Sequence, residues 1–331
     1  MNPIRFGVLG AARITPAALV YPAETIDDVE LTVVAARDRA RAEAFAREHG
    51  FVDVADDYAA VIAADVDAVY IPLPISVHAE WTLAALAAGK HVLCEKAIAS
   101  NAEEARALAD AAEASGRVLM EAFHYRYHPL FGRIVELLAA GAIGTPERAE
   151  ARFCVPHIQE GDIRLDYATG GGALMDLGCY CVHWLRHAAG REPIVRTAHA
   201  ETGPPEVDIV MDAELEFPSL QGEAPLTARA YCSMNPDEPM AASLTIEGSN
   251  GRLDVRNPIA PQMGHRLTVE NADGTLEEEV DRTPTYTYQL AAFTAAVRGE
   301  RTNLTDGEDA VRNMQVIDAI YTAAGMRRRG D

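Results

Sequence analysis

Apolar strands alternate with helices over the first 124 residues, and this alternation is the strongest constraint on the fold. Runs with the apolar character of strands are found at residues 4–9, 29–36, 67–71, 91–94 and 118–122. Strands that alternate with helices form a parallel, doubly wound sheet. Right-handed crossovers bring the carboxyl ends of such strands to one edge, where ligands bind. We therefore predict an α/β domain over residues 1–124 and look for functional residues directly after its strands.

After residue 124 the apolar pattern changes to a period of two. Met211, Ala213, Leu215 and Phe217 alternate with acidic residues, and residues 226–232 repeat the alternation. Such strands form an antiparallel sheet with one face solvated or covered by a partner. With helices predicted at 130–140, 173–189, 288–297 and 306–324, we predict a second, α+β domain over residues 125–331, whose sheet is open and mostly antiparallel. Its last helix can pack back on the first domain. We expect an apolar outer face of this sheet to form a homo-oligomer, either a dimer or a tetramer.

Composition excludes several classes of partner. The formal net charge is −21, which repels nucleic acid and anionic membranes, and no apolar run reaches the ~18 residues of a membrane span. The first strand begins at Ile4 and leaves no room for a signal peptide, so we predict a cytoplasmic protein. The five cysteines lack zinc spacing and are predicted to be small buried thiols, with no metal site. The basic run at residues 327–329 is predicted to be a frayed end.

The segment after the first strand is a candidate dinucleotide-binding loop. A dinucleotide fingerprint would place glycine at positions 10, 12 and 15, where this chain has Gly10, Ala12 and Thr15. Backbone N–H groups of a strand-to-helix turn can hold a pyrophosphate, although any tight turn of this kind would suit the same residues. The predicted cofactor contacts in this loop are Gly10, Ala11, Ala12, Arg13 and Ile14.

Arg37 follows the second strand, at the position where NAD-binding units often carry an acidic residue for the ribose 2′-hydroxyl. A guanidinium suits a 2′-phosphate instead. We therefore predict NADP(H) as the preferred cofactor, with NAD(H) possible. Asp38 is predicted to be the N-cap of the next helix.

Lysine is rare in this chain. Of the 29 lysine and arginine residues, only Lys90 and Lys96 are lysines. Lys96 follows Glu95 at the end of a predicted buried strand. Arginine cannot lose its proton in a protein, whereas lysine can, and lysine acts as a compact point charge. A solvated ion pair at a strand end would also explain these residues. The shared sheet edge with Gly10 and Arg37 favours a functional role.

The helix predicted at 173–189 follows three consecutive glycines and carries Asp176, Tyr180 and His183 at positions i, i+4 and i+7. These side chains share one helix face. A buried hydrogen-bond network would explain them, and so would acid–base chemistry. A phenol has a pKa of about 10 in water, and a nearby ammonium such as Lys96 would lower the pKa of Tyr180 and make it a better base.

Several of these segments resemble the glucose–fructose oxidoreductase/inositol dehydrogenase (Gfo/Idh/MocA) family, and the resemblance covers nearly the whole chain. They are the turn at 10–14, the strand end Ala36-Arg37-Asp38, the pair Glu95-Lys96 and the helix segment 176–183. Residues 120–129 are most similar to the dihydrodiol and D-xylose dehydrogenase branch. Three departures are Ala12 for the middle glycine, Pro74-Ile75 for Pro-Asn, and Glu95-Lys96-Ala97 for Glu-Lys-Pro, whose Lys–Pro bond is often cis.

The resemblance implies an N-terminal Rossmann domain and a set of site residues. Lys96 would lie near the nicotinamide and the reacting oxygen, Tyr180 would be the acid–base group, and Asp176 would touch substrate. These three are the predicted catalytic residues. The further predicted contacts to cofactor are Leu73, Pro74, His78, Glu95, Lys96 and Arg126, and those to substrate are Asp176, His183, Arg164 and Tyr167.

The function predicted from this resemblance is hydride transfer between NADP(H) and a hydroxyl of a sugar, polyol or vicinal diol, as in aldose and trans-dihydrodiol dehydrogenases. One alternative is a non-catalytic regulatory protein that senses sugar and dinucleotide. Another is redox-assisted glycoside cleavage on the same fold.

Overall fold

The computed structural model describes residues 2–156, 159, 161–203, 205–219 and 224–331. The chain forms two compact units, one of residues 1–127 with 285–311 and the other of residues 128–284 with 312–331. The domain boundary at residues 124 and 125 stays a prediction. In the ranges just given, no helix is long and apolar enough to cross a membrane.

The first unit contains a six-stranded parallel sheet in the order β3-β2-β1-β4-β5-β6. Its strands are β1 (Ile4–Leu9), β2 (Val29–Ala35), β3 (Asp53–Val54), β4 (Ala68–Ile71), β5 (His91–Cys94) and β6 (Leu119–Glu121). The predicted doubly wound parallel sheet is therefore confirmed. The strand order reverses between β1 and β4, which is the switch point where ligands bind in such sheets.

The helices of the first unit connect and cover these strands. They are α1 (Tyr21–Ala23), α2 (Arg39–His49), α3 (Tyr58–Ala63), α4 (His78–Ala87), α5 (Ala102–Ser115) and α8 (Thr285–Val297). Phe6 of β1 packs against Phe293 of α8, with ring centroids 5.5 Å apart, and both side chains are fully buried. Burial of each large apolar side chain contributes about 1.5–3 kcal/mol, so such pairs fix the helices on the sheet.

The second unit contains an eight-stranded sheet in the order β14-β13-β12-β11-β7-β10-β9-β8. Only β7 and β10 pair in parallel, and the other neighbours are antiparallel. The strands are β7 (Pro146–Cys154), β8 (Ile194–Thr202), β9 (Asp208–Phe217), β10 (Leu226–Ser233), β11 (Ala241–Gly248), β12 (Gly251–Arg256), β13 (Arg266–Asn271) and β14 (Gly274–Glu278). The predicted α+β class with a mostly antiparallel open sheet is confirmed.

Three helices accompany this sheet: α6 (Pro129–Ala139), α7 (Cys179–Ala189) and α9 (Gly307–Ala323), of which residues 312–323 belong to the second unit. A π-helical turn, Leu174–Gly178, leads into α7. Gly190 directly follows α7, and its φ of 66° is the left-handed conformation that favours glycine after a helix. All five cysteines are buried and none forms a disulfide, as predicted.

The two faces of the second sheet differ in polarity. One face is apolar and buried, and it includes Ala213, Leu215 and Ala230. The opposite face is charged, and pairs such as Arg196–Glu216 and Arg229–Asp212 connect neighbouring strands. The predicted apolar outer face is therefore wrong, because the side chains that alternate with the core residues are acidic or basic.

The basic segment near the end of the chain is not frayed, contrary to prediction. Arg329 is fully buried and forms an ion pair with Asp208, which is also fully buried. The sequence pattern suggested a frayed end because consecutive arginines are usually solvated.

Candidate functional site

The candidate cofactor site lies at the carboxyl edge of the six-stranded sheet. Gly10 directly follows β1, and its backbone N–H donates to the carbonyl of Ala35 at the end of β2, at 2.8 Å. Gly10 has a φ of 114°, and a Cβ there would lie 3.0 Å from Cδ2 of Leu73, across the switch point. Glycine is therefore required at position 10 for both conformation and space.

The rest of the predicted loop is more exposed than Gly10. Ala11 is buried, Ala12 is half-buried, and Arg13 and Ile14 are exposed. Arg41, in the first turn of α2, donates from Nη2 to the carbonyl oxygen of Ala11 at 2.5 Å. Arg41 was missed from the sequence, although it lies one helical turn after Arg37.

Arg37 and Asp38 differ in their contacts with the rest of the protein. The carboxylate of Asp38 caps α2, because its Oδ1 accepts from the N–H groups of Ala40 at 2.9 Å and Arg41 at 3.4 Å. Arg37 is exposed. In the ranges that the structure describes, no carboxylate lies within 4.0 Å of Arg13 or Arg37. The predicted cap is confirmed, and two guanidinium groups beside the loop are not neutralised by neighbouring acids.

Side chains from two strands, β4 and β6, hold the segment that carries Glu95 and Lys96. Oε1 of Glu95 accepts from the hydroxyl of Tyr70 at 2.6 Å, and the N–H of Ile98 donates to Oε1 of the buried Glu121 at 2.9 Å. The Lys96–Ala97 peptide is cis. Lys96 itself is half-buried. Because Glu95 precedes it and Ile98 follows it, these two hydrogen bonds hold the chain on both sides of Lys96.

His78, at the start of α4, connects two strand ends of this edge. Its Nδ1 lies 2.8 Å from the carbonyl oxygen of Ala97, and its Nε2 lies 2.7 Å from that of Leu73. The ring is fully buried, and burial lowers its pKa. Both ring nitrogens thus face backbone carbonyls. A role as a direct cofactor contact stays a prediction, as do those of Pro74, which is half-buried, and Arg126, in the 3-10 turn His124–Tyr127.

The predicted substrate residues lie in the second unit. Asp176 belongs to the π-helical turn, and Tyr180 and His183 belong to α7. Nε of Arg164 donates to Oδ2 of Asp176 at 2.7 Å, so the structure brings two predicted substrate residues together. Asp176 raises the pKa of this guanidinium, which therefore stays charged.

The aromatic ring of Tyr180 is held by packing. Its centroid lies 5.7 Å from that of Phe153 and 6.1 Å from that of Trp184, and Tyr180 is 4% exposed. His183 is fully buried, and its ring lies 4.2 Å from that of His187. Tyr167 is half-buried, and its hydroxyl donates to the carbonyl of Arg328 at 2.5 Å.

Two family models match the chain. The oxidoreductase family with an NAD-binding Rossmann fold matches residues 4–123, and the Gfo/Idh/MocA C-terminal domain matches residues 131–254. The chain belongs to the Gfo/Idh/MocA family. The resemblance drawn from the motifs is confirmed, and with it the prediction of an oxidoreductase that uses a nicotinamide cofactor.

Several sugar dehydrogenases and reductases match this chain over almost its full length. A D-xylose 1-dehydrogenase (NADP(+)) of Haloferax volcanii is 37% identical, covering 96% of this chain and 97% of the relative. A dTDP-3,4-didehydro-2,6-dideoxy-alpha-D-glucose 3-reductase of Streptomyces violaceoruber is 33% identical, covering 98% of this chain and 96% of the relative. The crystal structure of a 3-ketoreductase from Actinomadura kijaniata, in complex with NADP and TDP-benzene, is 30% identical with a TM-score of 0.88, covering 97% of this chain and 98% of the other.

The carboxyl edge of the first unit fits a dinucleotide. The space that a Cβ at Gly10 would fill is left for a close backbone approach. Arg13 and Arg37 supply positive charge in a chain whose net charge is −21. These features are what a pyrophosphate and a further phosphate require, because anions bind where N–H groups and guanidinium groups converge.

Proposed function

We propose that the protein is an NADP(H)-dependent sugar oxidoreductase that interconverts a hydroxyl and a carbonyl group on a free sugar or related polyol. Its proposed location is the cytoplasm, where NADP(H) is available. The choice of cofactor rests on the different surroundings of Arg37 and Asp38. Asp38 is committed to the N-cap of α2, and Arg37 lies exposed directly after β2.

NADP(H) differs from NAD(H) by a phosphate on the adenosine ribose, which a guanidinium can bind through two parallel hydrogen bonds. A carboxylate at this position would instead favour the 2′-hydroxyl of NAD(H). We assign the 2′-phosphate to Arg37. Arg41 supports the same assignment, because its hydrogen bond to Ala11 ties α2 to the loop that would hold the pyrophosphate. The Haloferax relative is an NADP(+) enzyme, and the Actinomadura structure is a complex with NADP.

In the proposed chemistry, Gly10, Arg13 and Arg37 would hold NADP(H), which would supply the hydride exchange with the substrate carbon. The phenolic oxygen of Tyr180 takes the proton of the substrate hydroxyl during oxidation and returns it to the carbonyl oxygen during reduction. We assign to the Lys96 ammonium the stabilisation of negative charge on the reacting oxygen, since an ammonium next to a phenol or an oxyanion favours the negatively charged form. Asp176, held by Arg164, accepts hydrogen bonds from further substrate hydroxyls and orients the sugar.

The charge around Arg164 supports a free sugar over a nucleotide-linked sugar. This guanidinium lies 2.7 Å from Asp176 and 3.1 Å from Asp162, so two carboxylates surround one cation. A diphosphate bound at this guanidinium would have to displace these two acids. Neutral hydroxyls can donate to the same carboxylates at no such cost.

The experiment that tests this function is a turnover screen with both cofactors. The substrates are aldoses including D-xylose, cyclic polyols, dihydrodiols and a dTDP-linked keto sugar. We expect turnover of a free sugar or polyol with NADP(H). Turnover of the dTDP-linked substrate alone would overturn the choice of substrate class. Binding of NADPH without any turnover would identify a regulatory sensor, and cleavage of a glycoside without net nicotinamide reduction would identify redox-assisted cleavage.

We also propose a homo-oligomer, a dimer or tetramer, formed through the outer face of the second sheet. The supporting feature is the set of charged cross-strand pairs on that face, including Arg196–Glu216 and Arg252–Glu247. Exposed pairs of this kind contribute only about 0–1 kcal/mol each to folding, so they are available for association. Light scattering at micromolar protein is the test, and a monomer in low and physiological salt would contradict the proposal.

A further inference from the structure

A buried ionic cluster lies beside the helix that carries Asp176 and Tyr180, and we name it the Arg329 cluster. Its members are Arg329, Asp208, Tyr321, Tyr167 and the backbone of residues 171–174. Arg329 and Asp208 are both fully buried, with Nη2 of Arg329 2.6 Å from Oδ1 of Asp208. Burying two charges is costly unless their geometry is good and their remaining groups are hydrogen-bonded. We therefore expect the cluster to have a structural or functional role.

The hydrogen bonds of this cluster converge on the start of the functional helix. Nε of Arg329 donates to the carbonyl of Gly171 at 2.6 Å, and Oδ2 of Asp208 accepts from the N–H of Leu174 at 2.7 Å. Leu174 is the first residue of the π-helical turn that contains Asp176. The hydroxyl of Tyr321 donates to Oδ1 of Asp208 at 2.9 Å. One ion pair therefore fixes both the glycine segment and the first backbone N–H of the turn.

The same cluster also holds the segment that carries Arg164. The guanidinium of Arg329 stacks on the rings of Tyr167 at 4.8 Å and Tyr321 at 4.5 Å. Tyr167 donates to the carbonyl of Arg328, and the N–H of Gly171 donates to the carbonyl of Asp166 at 2.9 Å. Residues 164–171 and the segment 328–329 are thus held against each other.

Close packing leaves no room for other side chains at the glycines. A Cβ on Gly172 would collide with Oδ1 of Asp208 and come within 2.8 Å of Nη2 of Arg329, and Gly172 has a φ of 140°. A Cβ on Gly171 would lie 2.5 Å from the carbonyl oxygen of Arg164. The backbone on both sides of the Arg164–Asp176 ion pair is therefore positioned by direct contact.

We infer that Arg329 is a positioning residue, which sets the orientation of Asp176 and Arg164 toward the sugar by holding residues 166–174. This inference rests on the proposed function, because it assigns substrate orientation to the same pair. It adds a residue that lies more than 150 positions away in the sequence from the groups it orients. A displacement of about 1 Å in such groups is enough to lower turnover on the order of 100-fold.

The test compares Arg329→Ala and Arg329→Lys with the control Arg327→Ala, whose side chain is 53% exposed. The Arg327 guanidinium lies 5.1 Å from the ring of Tyr167, whereas the bonds to Gly171 and Asp208 come from Arg329, so this control separates those bonds from stacking on Tyr167. Lysine keeps the charge opposite Asp208 but lacks the planar fork that reaches both Gly171 and Asp208. We expect both Arg329 variants to raise the KM for sugar about 10-fold or more and to lower kcat. We expect NADPH affinity to stay within about 2-fold of the parent, and the Arg327 variant to match the parent.

Hydrogen exchange measured by mass spectrometry supplies a readout that does not depend on activity. Residues 162–176 should exchange faster in Arg329→Lys than in the parent and in Arg327→Ala. Parent-like exchange and parent-like KM in Arg329→Lys would overturn the inference, and that variant decides the question if Arg329→Ala does not fold. Faster exchange in Arg329→Lys combined with a parent protein that turns over no sugar would show that the positioning is correct and the proposed function is wrong.

Discussion

The carboxylate of Asp38 accepts a hydrogen bond of 2.9 Å from the backbone N–H of Ala40. This bond commits the acid nearest the end of β2 to the helix cap. The preceding residue, Arg37, is then the charged group available to a cofactor phosphate. The choice between the two nicotinamide dinucleotides thus depends on two consecutive side chains with different partners.

We expect Arg37→Ala to weaken NADPH binding and to leave NADH binding nearly unchanged. The loss should be about 1.5–3 kcal/mol, the usual range for a hydrogen bond to a charged group. Titration calorimetry with both cofactors measures it, and Arg47→Ala, at an exposed arginine of α2, is the control. Equal loss of affinity for both cofactors would show that Arg37 does not contact the 2′-phosphate.

Tyr180→Phe keeps the ring that packs on Phe153 and Trp184 and removes only the hydroxyl. Turnover should fall by roughly 10²–10⁴, the usual contribution of a general acid or base, while NADPH affinity stays nearly constant. Steady-state kinetics and a binding titration measure the two quantities. Tyr21→Phe, at a site that is 55% exposed, is the matched control. Turnover close to that of the parent would remove Tyr180 from the acid–base role and make His183 the candidate.

Lys96→Met should lower turnover and raise the apparent pKa of the ascending limb in the pH–rate profile of alcohol oxidation. The reason is that loss of a nearby ammonium disfavours the phenolate. Lys96→Arg keeps the charge and serves as the comparison. If the two groups act as a unit, the double variant with Tyr180→Phe should be little worse than the poorer single variant. Additive losses would instead show independent roles.

His91 predicts a pH dependence of stability. Burial, and to a smaller extent the positive charge of Arg117, lowers the pKa of His91 to about 4. Its Nδ1 accepts a hydrogen bond from the N–H of Val118 at 3.0 Å. The unfolded ring has a pKa of about 6.5, so between these values only the unfolded chain binds the proton. Stability contributed by neutral His91 is therefore present above pH 6.5 and is lost as the pH falls toward 4.

Urea denaturation of the parent and of His91→Asn at pH 7 and 4.5 measures this dependence. Asparagine retains an acceptor for Val118 but does not titrate, so the parent should lose more stability than the variant over this range. His199→Asn, at an exposed position, should behave like the parent. An equal decrease in the free energy of unfolding in the parent and in His91→Asn would contradict the assignment.

The sequence was sufficient to predict the parallel sheet, because each of its central strands is a continuous apolar run. It did not reveal β3, which has two residues, or β8, an edge strand with mostly exposed side chains. Both elements lack the burial that produces a periodic pattern. In the second sheet, alternation predicted which residues face the core, but it could not show that the outward charges pair with each other.

Candidate site residues were found where a motif and a strand end coincide, as for Gly10 and Arg37. The groups that hold them were not found. Tyr70 is one strand away from Glu95, and Arg329 is 158 residues away from Gly171. Such partners are determined by tertiary pairing, and neither local periodicity nor spacing in the sequence contains that information.

Lys90 donates from Nζ to the carbonyl oxygens of Ala64 at 3.0 Å and Val66 at 2.8 Å, so its ammonium is part of the turn after α3. The only other lysine in the chain is Lys96. An amine-directed reagent therefore meets two lysine side chains besides the α-amine, so each modified site can be assigned by peptide mapping. The extent of Lys96 acylation, with and without NADPH, would then report how far the cofactor shields this edge of the sheet.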